Sequence, residues 1–499
     1  MQKIIAILFF LLLFSKEMQA QKRELRAAWI ATVANIDWPS KPGLPSVEQQ
    51  EQFNHRLDEL KYLGCNAAIV QIRPCADAIY KSSIEPWCYY LTGRQGEPPF
   101  PYYDPMLYMV EETHKRNMEF HAWFNPFRAL MNSSMNNNPS NHVTRAHPEW
   151  IISYGGKSYI DPGIPEAREY VIKVIIDVVK RYDIDAVHLD DYFYPYKVGT
   201  TPFPDNKSYA QYGNGADREE WRRNNVNEFI YLLNKNIKAV KPYVKLGVSP
   251  FGIWRNASKD PEGSATRGGQ TDYDDLYADV LLWLRKGWVD YLMPQLYWEH
   301  HNHAAPFDVL MPWWEQHTYS RHIYYGLGVY RMVGARSGAW ASCKELLSQI
   351  REIRQSTRTP GYAFYSASSF DKIHLPISDS LHFGYTRLPA FPPVMPWLDT
   401  TAPQSPILKA VPSAQGTLLQ WKANNPNNKM LRYVVYRFIN DEPINLDHNE
   451  KIIYVQTDKT ECVDVNSNRF RKCTYVVTAM DRLWNESKAS NKQIVSQDQ

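Results

Sequence analysis

The chain has 499 residues, of which 22% are charged, and its formal net charge is +3. This length allows one large and one smaller domain, and so balanced a charge argues against a nucleic-acid partner or an anionic membrane surface. Aromatic residues make up 14% of the chain; most are expected in a large core, and those that follow strands are expected to form flat platforms for sugars.

The first predicted element is a secretory signal peptide over residues 1–20. Lys3 precedes an apolar stretch from Ile4 to Phe14, and the small residue Ala20 marks a cleavage point. The stretch is too short for a convincing membrane span, and no later segment of the sequence has the length to cross a bilayer. We therefore expect an exported protein that is periplasmic, cell-envelope associated or secreted.

Residues 24–386 alternate short apolar runs with helical stretches. Strands are predicted at 26–35, 67–74, 119–128, 185–195, 245–254, 289–299, 322–332 and 361–370. Helices are predicted at about 46–63, 104–117, 165–182, 217–240, 273–286, 306–318 and 340–355. The alternation predicts an α/β fold, a (β/α)8 TIM barrel, in which the carboxyl ends of the strands form the active site.

The composition changes after the barrel. Residues 387–403 are rich in proline and predict a linker, and residues 404–496 read as alternating strands with turn residues between them. This pattern predicts a small antiparallel all-β sandwich. Trp421 on an early strand, YVVYRF and YVVTAMDRLWNES resemble an immunoglobulin-like fibronectin type III module, which implies a spacer or a contact with the cell wall or another protein. Cys462 and Cys473 fall on neighbouring strands and could pair.

The strongest candidate carboxylates follow the fourth apolar run. Strand alternation places His188 and Asp190 on the inward face, and Asp191 begins the next loop. An inward carboxylate at the rim of a barrel is costly to desolvate unless it is used or paired. The alternative to a catalytic Asp190 is a salt bridge with Arg73 on the second run.

The sixth run supplies a second set of polar residues. Gln295 and Tyr297 share one face, and Glu299 follows with the same parity, between Trp298 and His300. A carboxyl beside an indole can have its pKa raised, as a general acid requires. The alternative is a solvated loop glutamate.

Further polar and aromatic residues leave the other strand ends, as a carbohydrate cleft requires. Carboxylates supply acid and nucleophile, amides and arginine hold hydroxyls, and rings stack on pyranose faces. The predicted substrate-binding residues are Arg73, Asp77, Glu85, Trp87, His121, Trp123, Asn125, Arg128, His188, Tyr192, Ser249, Trp254, Gln295, Tyr297, Trp298 and Tyr330.

Other chemistries lack their motifs in this sequence. No GxGxxG, Walker loop or GxSxG elbow stands in a suitable place, which disfavours nucleotide-binding and serine-hydrolase functions. No cysteine and histidine cluster has metal spacing, and the adjacent His300 and His301 are expected to point in divergent directions. We therefore expect neither a metal nor a cofactor, which also disfavours a metal-dependent polysaccharide deacetylase.

Seven strand-end motifs together resemble the glycosyl-hydrolase-like family named for its similarity to family 10. They are ELRAAWIATVANIDWPS, VQIRPCADAIYKSSIEPW, YLTGRQG, HAWFNPFR, HLDDYFYP, GVSPFGIWRN and MPQLYWE, and the likeness covers about residues 24–370. The resemblance implies a secreted or envelope-associated bacterial glycoside hydrolase with a TIM barrel, and at least one relative that cuts peptidoglycan strands stripped of their peptides. It does not fix which carboxyl is the acid. In many retaining glycosidases of this layout the inward aspartate is the nucleophile.

We therefore predict an exported glycoside hydrolase that cleaves O-glycosidic bonds of a polysaccharide or oligosaccharide, with peptide-free peptidoglycan strands as one candidate. Asp190 is predicted as the nucleophile or principal carboxylate, Glu299 as the general acid/base, and Asp191 as the runner-up for either role. Carboxyl groups about 5–5.5 Å apart would indicate retention of configuration, and roughly 6.5–9.5 Å inversion. The alternative function is a non-catalytic barrel protein that binds the same glycan through a single isolated carboxylate.

Overall fold

The computed structural model describes residues 21–134, 137–355, 361–423, 431–457 and 459–496. The predicted signal peptide lies outside the described residues. The first thirteen strands are β1 (Leu25–Ile30), β2 (Ala67–Arg73), β3 (Glu119–Phe124), β4 (Arg128–Leu130), β5 (Ile151–Tyr154), β6 (Lys157–Ile160), β7 (Ala186–Leu189), β8 (Lys245–Val248), β9 (Tyr291–Leu292), β10 (Gln295–Leu296), β11 (His322–Ile323), β12 (Tyr325–Leu327) and β13 (Gly361–Phe364).

Helices connect these strands on the outside of the fold. They are α1 (Ser46–Tyr62), α2 (Tyr89–Thr92), α3 (Pro105–Lys115), α4 (Val143–Ala146), α5 (Pro165–Arg181), α6 (Asn206–Tyr212), α7 (Arg218–Val240), α8 (Asp272–Asp275), α9 (Val280–Lys286), α10 (Phe307–Gln316), α11 (Cys343–Gln355), α12 (Ser369–Lys372) and α13 (Ile377–Asp379). Within the described ranges, none of them is both long and apolar enough to span a bilayer.

Ten strand segments form one parallel sheet in the order β10-β12-β13-β1-β2-β3-β7-β8-β9-β11. β9 and β10 belong to a single run that is interrupted at Pro294, which has no N–H to give to a ladder. β11 and β12 likewise belong to one run, the next along the chain, which is interrupted at Tyr324. Because β9 pairs with β11 and β10 with β12, the two ends of the sheet come from the same stretches of chain. The sheet curls into a TIM-barrel-like α/β fold, which confirms the predicted class.

Several predicted elements are shorter in the structure or divided. The sixth run was expected to stay extended to Glu299, but β10 ends at Leu296, and Val329–Met332 of the seventh run form a 3₁₀ turn. The helix predicted at 273–286 is two helices, because Tyr277 has a φ of 54° and Asp279 caps α9 by accepting from the Leu282 amide. The hairpin β5–β6, which pairs with β4, was not predicted.

Aromatic side chains fill the interior of the barrel. Trp29, Trp123 and Tyr291 belong to one buried cluster there, and a larger cluster lies between the sheet and the helices. Gly247 on β8 makes room for the Tyr291 ring, because a Cβ at this position would lie 1.9 Å from Tyr291 Cζ. The sequence therefore places a glycine where the Tyr291 ring crosses the barrel.

A chain of polar contacts runs along the barrel interior. Glu119 Oε2 lies 2.8 Å from His121 Nε2, and His121 Nδ1 lies 2.8 Å from the Tyr291 hydroxyl. That hydroxyl lies 3.0 Å from His188 Nδ1, and the Trp29 indole donates to His188 Nε2 at 3.2 Å. The chain connects the amino ends of the strands with the layer just below their carboxyl ends.

The C-terminal region is all-β, as predicted. Its strands are β14 (Ile407–Ser413), β15 (Gly416–Lys422), β16 (Arg432–Ile439), β17 (Ile452–Gln456), β18 (Glu461–Asp464), β19 (Lys472–Met480) and β20 (Gln493–Ser496). They form two antiparallel sheets, β14-β15-β18 and β17-β16-β19-β20, that share one apolar cluster. Cys462 and Cys473 both lie in this cluster as free thiols, so the pairing considered from the sequence is not present.

This C-terminal region packs against the amino ends of the barrel strands. Trp484 Nε1 donates to Glu119 Oε1 at 2.6 Å, and Arg482 forms a salt bridge with Asp183. The ring of Phe391, in the proline-rich segment, stacks on the Trp484 indole at 5.7 Å. The carboxyl ends of the barrel strands lie at the other end of the fold.

Candidate active site

Asp190 follows β7 at the carboxyl end of the sheet and is 8% exposed. Asn125, which follows β3, donates from Nδ2 to Asp190 Oδ2 at 2.7 Å, and the Asp191 amide donates to Asp190 Oδ1 at 3.0 Å. Gln71 on β2 donates in turn to Asn125 Oδ1. These contacts hold the Asp190 carboxyl in one orientation, and the structure brings together two residues that strand alternation placed on the inward face.

Asp191 is the second carboxyl of the site and is only 1% exposed. The Tyr196 hydroxyl donates a hydrogen bond to Asp191 Oδ2. Burial raises the pKa of Asp191 well above its usual range, and repulsion by Asp190 and a hydrogen bond shared between the two carboxyl groups raise it further. Asp191 therefore keeps its proton at pH values where an exposed aspartate has lost it, which is the state a general acid needs.

Tyrosine rings form one wall beside this pair. The Tyr297 ring stacks on Tyr365 at 5.5 Å and meets Tyr330 edge-on at 5.7 Å. Burial raises the pKa of Tyr297 well above its usual range, and the nearby Tyr365 and Asp190 add to the shift. Tyr330 is 39% exposed, so the wall reaches the surface. Neutral phenol rings of this kind offer flat faces and hydroxyl donors to a sugar.

Arg128 on β4 holds another tyrosine of the site. Its Nη1 donates to the Tyr192 hydroxyl, and its Nε donates to the Pro74 carbonyl at 2.8 Å. The guanidinium also lies 5.4 Å from the centre of the Tyr192 ring. Asn125 Nδ2 reaches the same hydroxyl at 3.3 Å, so Tyr192 is held beside Asp190 from two sides.

Arg73 and Glu85 were predicted to bind substrate, but the structure pairs them with each other. Both side chains have 0% exposure, and Arg73 Nε donates to Glu85 Oε2 at 2.7 Å. Arg73 Nη1 donates to the carbonyls of Asn125 and Pro126 at 2.7 and 2.9 Å. In this arrangement they touch no surface that a sugar could reach, and they support the backbone that carries Asn125.

Glu299 does not have the environment expected of it. Asn302 Nδ2 donates to its Oε1 at 2.8 Å, and the Trp340 indole donates to its Oε2 at 3.0 Å. Partial burial acts to raise the pKa of Glu299, but these hydrogen bonds outweigh it and the pKa is lowered. The expectation of a raised pKa beside an indole is therefore wrong, because the indole of Trp340 donates its N–H to the carboxylate instead of only removing water.

Some of the other predicted residues lie one layer below the rim. His121 and His188 are buried in the polar chain of the barrel interior, and Trp123 is 4% exposed beside them. Ser249 Oγ contacts His188 Nε2 at 3.1 Å, and Gln295 Nε2 donates to the Ser249 carbonyl at 3.0 Å. Of these five, Gln295 alone is partly exposed, and the other four form the floor of the site.

The remaining predicted residues have their partners in the loops and in the outer core. Asp77 is buried and ties the loop after β2 together by accepting from the Cys75 amide and from Gln95. Trp87 lies in the same loop, and Trp254 packs against Trp313 in the outer core. Trp298 packs edge-on against Phe251 at 5.5 Å.

Sequence reasoning missed four residues of the site. Gln71, Tyr196 and Tyr365 contact Asn125, Asp191 and Tyr297 as described above. The fourth is Asp272 at the start of α8, which has 0% exposure and accepts a hydrogen bond at its Oδ1 from the Phe251 amide at 3.0 Å. Burial raises the pKa of Asp272 well above its usual range, and the negative charge of the nearby Asp191 adds to the shift. Tyr365 directly follows β13, so the rule that selected the other strand-end residues applies to it equally.

Within the described ranges, no three His, Cys, Asp or Glu side chains are grouped so as to hold a metal ion. His300, one of the adjacent histidines, lies between Glu345 and Glu352, at 2.7 and 2.9 Å. Hydrogen bonds that the His300 ring donates to these two carboxylates raise the pKa of His300 to about 10.

Similar proteins are known for this chain. The family described as Glycosyl hydrolase-like 10 matches residues 24–340. The chain is 46% identical over 479 residues to the glycosyl hydrolase YngK of Bacillus subtilis (strain 168), and the alignment covers 94% of this chain and 93% of that protein. It is 39% identical over 335 residues to the glycosyl hydrolase DigH of Escherichia coli (strain K12), which covers 63% of this chain and 75% of that protein.

Among solved structures, the PgaB (BpsB) glycoside hydrolase domain from Bordetella bronchiseptica aligns with a TM-score of 0.48 at 11% identity, over 72% of this chain and 98% of that one. The family resemblance of the strand-end motifs is confirmed by the match over residues 24–340. The fibronectin type III resemblance of the C-terminal strands stays a prediction. The chain belongs to the glycosyl hydrolase-like 10 family, and it is a glycoside hydrolase.

Proposed function

We propose that this glycoside hydrolase is exported and cleaves a polysaccharide of 2-acetamido sugars, with peptide-free peptidoglycan strands as the first candidate. The observation that carries the proposal is the pair Asp190 and Asp191. The Asp191 amide donates to Asp190 Oδ1, and the two carboxyl groups differ in their surroundings, since Asp190 accepts from Asn125 while burial raises the pKa of Asp191. Two neighbouring carboxyl groups in different surroundings can serve two different steps of one reaction.

The spacing of this pair supports neighbouring-group chemistry. Carboxyl groups that act from opposite sides of a glycosidic bond lie about 5–5.5 Å or roughly 6.5–9.5 Å apart. Asp190 and Asp191 are consecutive residues, and the Asp191 amide donates to Asp190 Oδ1 at 3.0 Å, so in this proposal they act from the same side of the sugar. In the proposed reaction an acetamido group at C2 of the substrate supplies the nucleophile.

The proposed reaction has two steps. In the first step the acetamido oxygen attacks C1, while the N–H of the acetamido group donates a hydrogen bond to the Asp190 carboxylate. The bond from C1 to the leaving oxygen breaks as Asp191 gives that oxygen its proton. Asp191, now a carboxylate, takes a proton from water as the water oxygen attacks C1 and the acetamido group is released. Asp190 thus acts on the acetamido group, and Asp191 takes the acid/base role first predicted for Glu299.

The proposal is tested with Asp190→Asn, Asp191→Asn and, as the matched control, Glu299→Gln. On purified peptide-free glycan strands, each aspartate variant should lower turnover by about 10²–10⁴-fold with its unfolding transition intact, and Glu299→Gln should retain most of it. A 2-methylthiazoline analogue of the sugar, which resembles the cyclised intermediate, should inhibit the wild type.

Three outcomes would contradict parts of this assignment. Equal loss in Glu299→Gln would return the acid role to Glu299. Normal turnover of sugars without the acetamido group would remove the neighbouring-group step and favour Asp190 as nucleophile. Tight glycan binding with no cleavage of any glycan in a broad panel would favour the carbohydrate-binding alternative.

Export and modularity belong to the same proposal. The apolar segment ending near Ala20 supports cleavage before Gln21, and the three- and four-stranded C-terminal sheets support a fibronectin type III-like module that contacts the cell wall or a protein. N-terminal sequencing of protein from the periplasm or medium should begin near Gln21. Recovery of intact Met1 from the cell interior would contradict export.

A further inference from the structure

Gln71 is a buried amide that connects two neighbouring strand ends of the barrel. It lies on β2, has 0% exposure, and shares the inward face of that strand with Ala67 and Ile69 of the interior cluster. β2 pairs with β1 on one side and with β3 on the other. The Gln71 side chain can therefore reach both the loop after β1 and Asn125, which follows β3.

Two backbone amides determine which end of the Gln71 amide is the oxygen. The N–H groups of Thr32 and Val33 donate to Gln71 Oε1 at 3.0 and 2.8 Å. A backbone N–H can only donate, so the atom that faces both of them must be the oxygen, and the NH2 group must face away. The Thr32 hydroxyl also donates to the Gln71 carbonyl at 2.9 Å, which holds the backbone of Gln71 to the same loop.

The loop after β1 is itself held in place by Asp37. Asp37 Oδ2 accepts from the Ala31 amide at 2.7 Å, and Oδ1 accepts from the Ser366 hydroxyl and the Ser368 amide, each at 2.8 Å. Both serines follow β13, so these contacts connect the ends of β1 and β13. The two amides that donate to Gln71 come directly after Ala31 and are therefore fixed in direction.

The orientation of Gln71 determines that of Asn125. Gln71 Nε2 donates to Asn125 Oδ1, so the NH2 group of Asn125 must face the other way. It donates to Asp190 Oδ2 at 2.7 Å and lies 3.3 Å from the Tyr192 hydroxyl. An N–H donor directed at a carboxyl oxygen favours the charged form of the carboxyl, whereas a carbonyl oxygen in the same place would favour the protonated form.

We propose that Gln71 is a positioning residue whose amide keeps the Asn125 NH2 group turned toward Asp190, so that Asp190 is available as a carboxylate. In this role Gln71 acts through Asn125 and does not touch the substrate. The inference rests on the proposed function in one respect, which is that Asp190 is catalytic. It holds equally whether Asp190 orients an acetamido group or attacks C1, because both roles need the charged form.

Two variants at position 71 test the inference, with the glycan that the wild type cleaves fastest as the substrate. In Gln71→Glu an ionised carboxylate still accepts from the two backbone amides but has no proton to donate, so Asn125 turns its NH2 toward position 71 and its oxygen toward Asp190. Asp190 then keeps its proton to higher pH, and the acidic limb of the kcat/KM profile should move up by at least about one pH unit. Gln71→Leu leaves the Asn125 amide without a fixed orientation and should lower kcat by about 10–10²-fold, with a smaller change in KM.

Gln49 on α1 provides the matched control. It also has 0% exposure, its Nε2 donates to the Leu44 carbonyl at 2.8 Å, and its Oε1 accepts from the Tyr103 hydroxyl at 2.8 Å. Gln49→Leu should lower the free energy of unfolding much as Gln71→Leu does, because each removes the hydrogen bonds of one buried amide. It should leave kcat and the acidic limb unchanged.

The outcomes separate this inference from the proposed function. An acidic limb at the wild-type pH in folded Gln71→Glu would overturn the inference, and if that variant does not fold, a wild-type kcat in Gln71→Leu would do so. Equal loss of kcat in Gln49→Leu would show that general loosening of the barrel, and not the orientation of Asn125, lowers turnover. Asp190→Asn is measured alongside: if it keeps normal turnover, the catalytic role of Asp190 fails and this inference with it, whereas an impaired Asp190→Asn beside an unshifted Gln71→Glu makes this inference alone wrong.

Discussion

Replacing Glu85 with glutamine should destabilise the barrel although it changes no exposed group. Glu85 accepts hydrogen bonds from Arg73 Nε, from Arg73 Nη2 and from the Tyr170 hydroxyl, and neither it nor Arg73 has any exposed surface. Glutamine keeps the shape, but it removes the negative charge and turns an NH2 group toward a guanidinium that can only donate.

The magnitude follows from this burial. Removing one partner of a buried ion pair leaves an unpaired buried charge and costs about 3–5 kcal/mol. Arg94 and Glu97, which are 77% and 58% exposed and 3.5 Å apart, provide the matched surface pair. Glu97→Gln should change the free energy of unfolding by less than about 1 kcal/mol, because water screens that pair.

Urea unfolding of the full chain, followed by tryptophan fluorescence, measures both effects. The double variant Arg73→Met/Glu85→Leu should lose less stability than Glu85→Gln alone, since no charge is left unpaired in it. If Glu85→Gln unfolds like Glu97→Gln but raises KM on glycan, Glu85 contacts substrate, as the sequence first suggested, and the argument from burial fails.

Three further changes test other parts of the structure. Asp191→Asn should be more stable than the wild type at neutral pH. The pKa of Asp191 is raised in the folded protein, so its carboxyl ionises first in the unfolded chain, as the pH rises above about 3.9. The wild type therefore loses stability from that pH upward, and the asparagine variant does not. Its advantage in urea titrations should therefore grow with pH, and a constant difference would contradict the raised pKa. Gly247→Ala should cost about 1–3 kcal/mol or more, because its Cβ would lie 1.9 Å from Tyr291 Cζ, whereas Gly269→Ala, with nothing within 4 Å, should match the wild type in thermal unfolding. Similar melting of the two glycine variants would show that the Tyr291 ring moves aside. Trp484→Phe removes the 2.6 Å hydrogen bond to the Glu119 carboxylate and should lower stability by about 1.5–3 kcal/mol, and an unchanged unfolding transition would mean that another donor takes its place.

The sequence was sufficient to place Asp190 and Asn125 together. Both positions follow from strand alternation and from the rule that the ends of parallel strands share one edge, which are local properties. The pKa of Glu299 was expected to be raised by a neighbouring indole, and this was wrong, because β10 ends three residues before Glu299 and the chain then turns so that Asn302 and Trp340 donate hydrogen bonds to the carboxylate. Beyond the end of a strand, the alternation of side chains between the two faces of the sheet no longer predicts which way a side chain points.

Long-range partners were the other information that the sequence lacked. Arg73 and Glu85 are twelve positions apart, and either is a reasonable sugar ligand until the loop between them is folded back into an ion pair. Asp272 was not selected because no run of apolar residues marks its place, and its position near Asp191 depends on how the loop after β8 returns to the rim. Such contacts depend on loop paths, which periodicity does not describe.

The polar chain inside the barrel admits only one direction of hydrogen bonding. An indole can only donate, so His188 Nε2 must accept from Trp29, and His188 Nδ1 must carry the proton that points at the Tyr291 oxygen. Tyr291 then donates to His121 Nδ1, and His121 Nε2–H donates to the Glu119 carboxylate. Trp29 and Glu119, the two ends of this chain of contacts, thus select the tautomers of His188 and His121. The dipoles of the whole chain are aligned along the barrel, and reversing any one member would leave two donors or two acceptors facing each other.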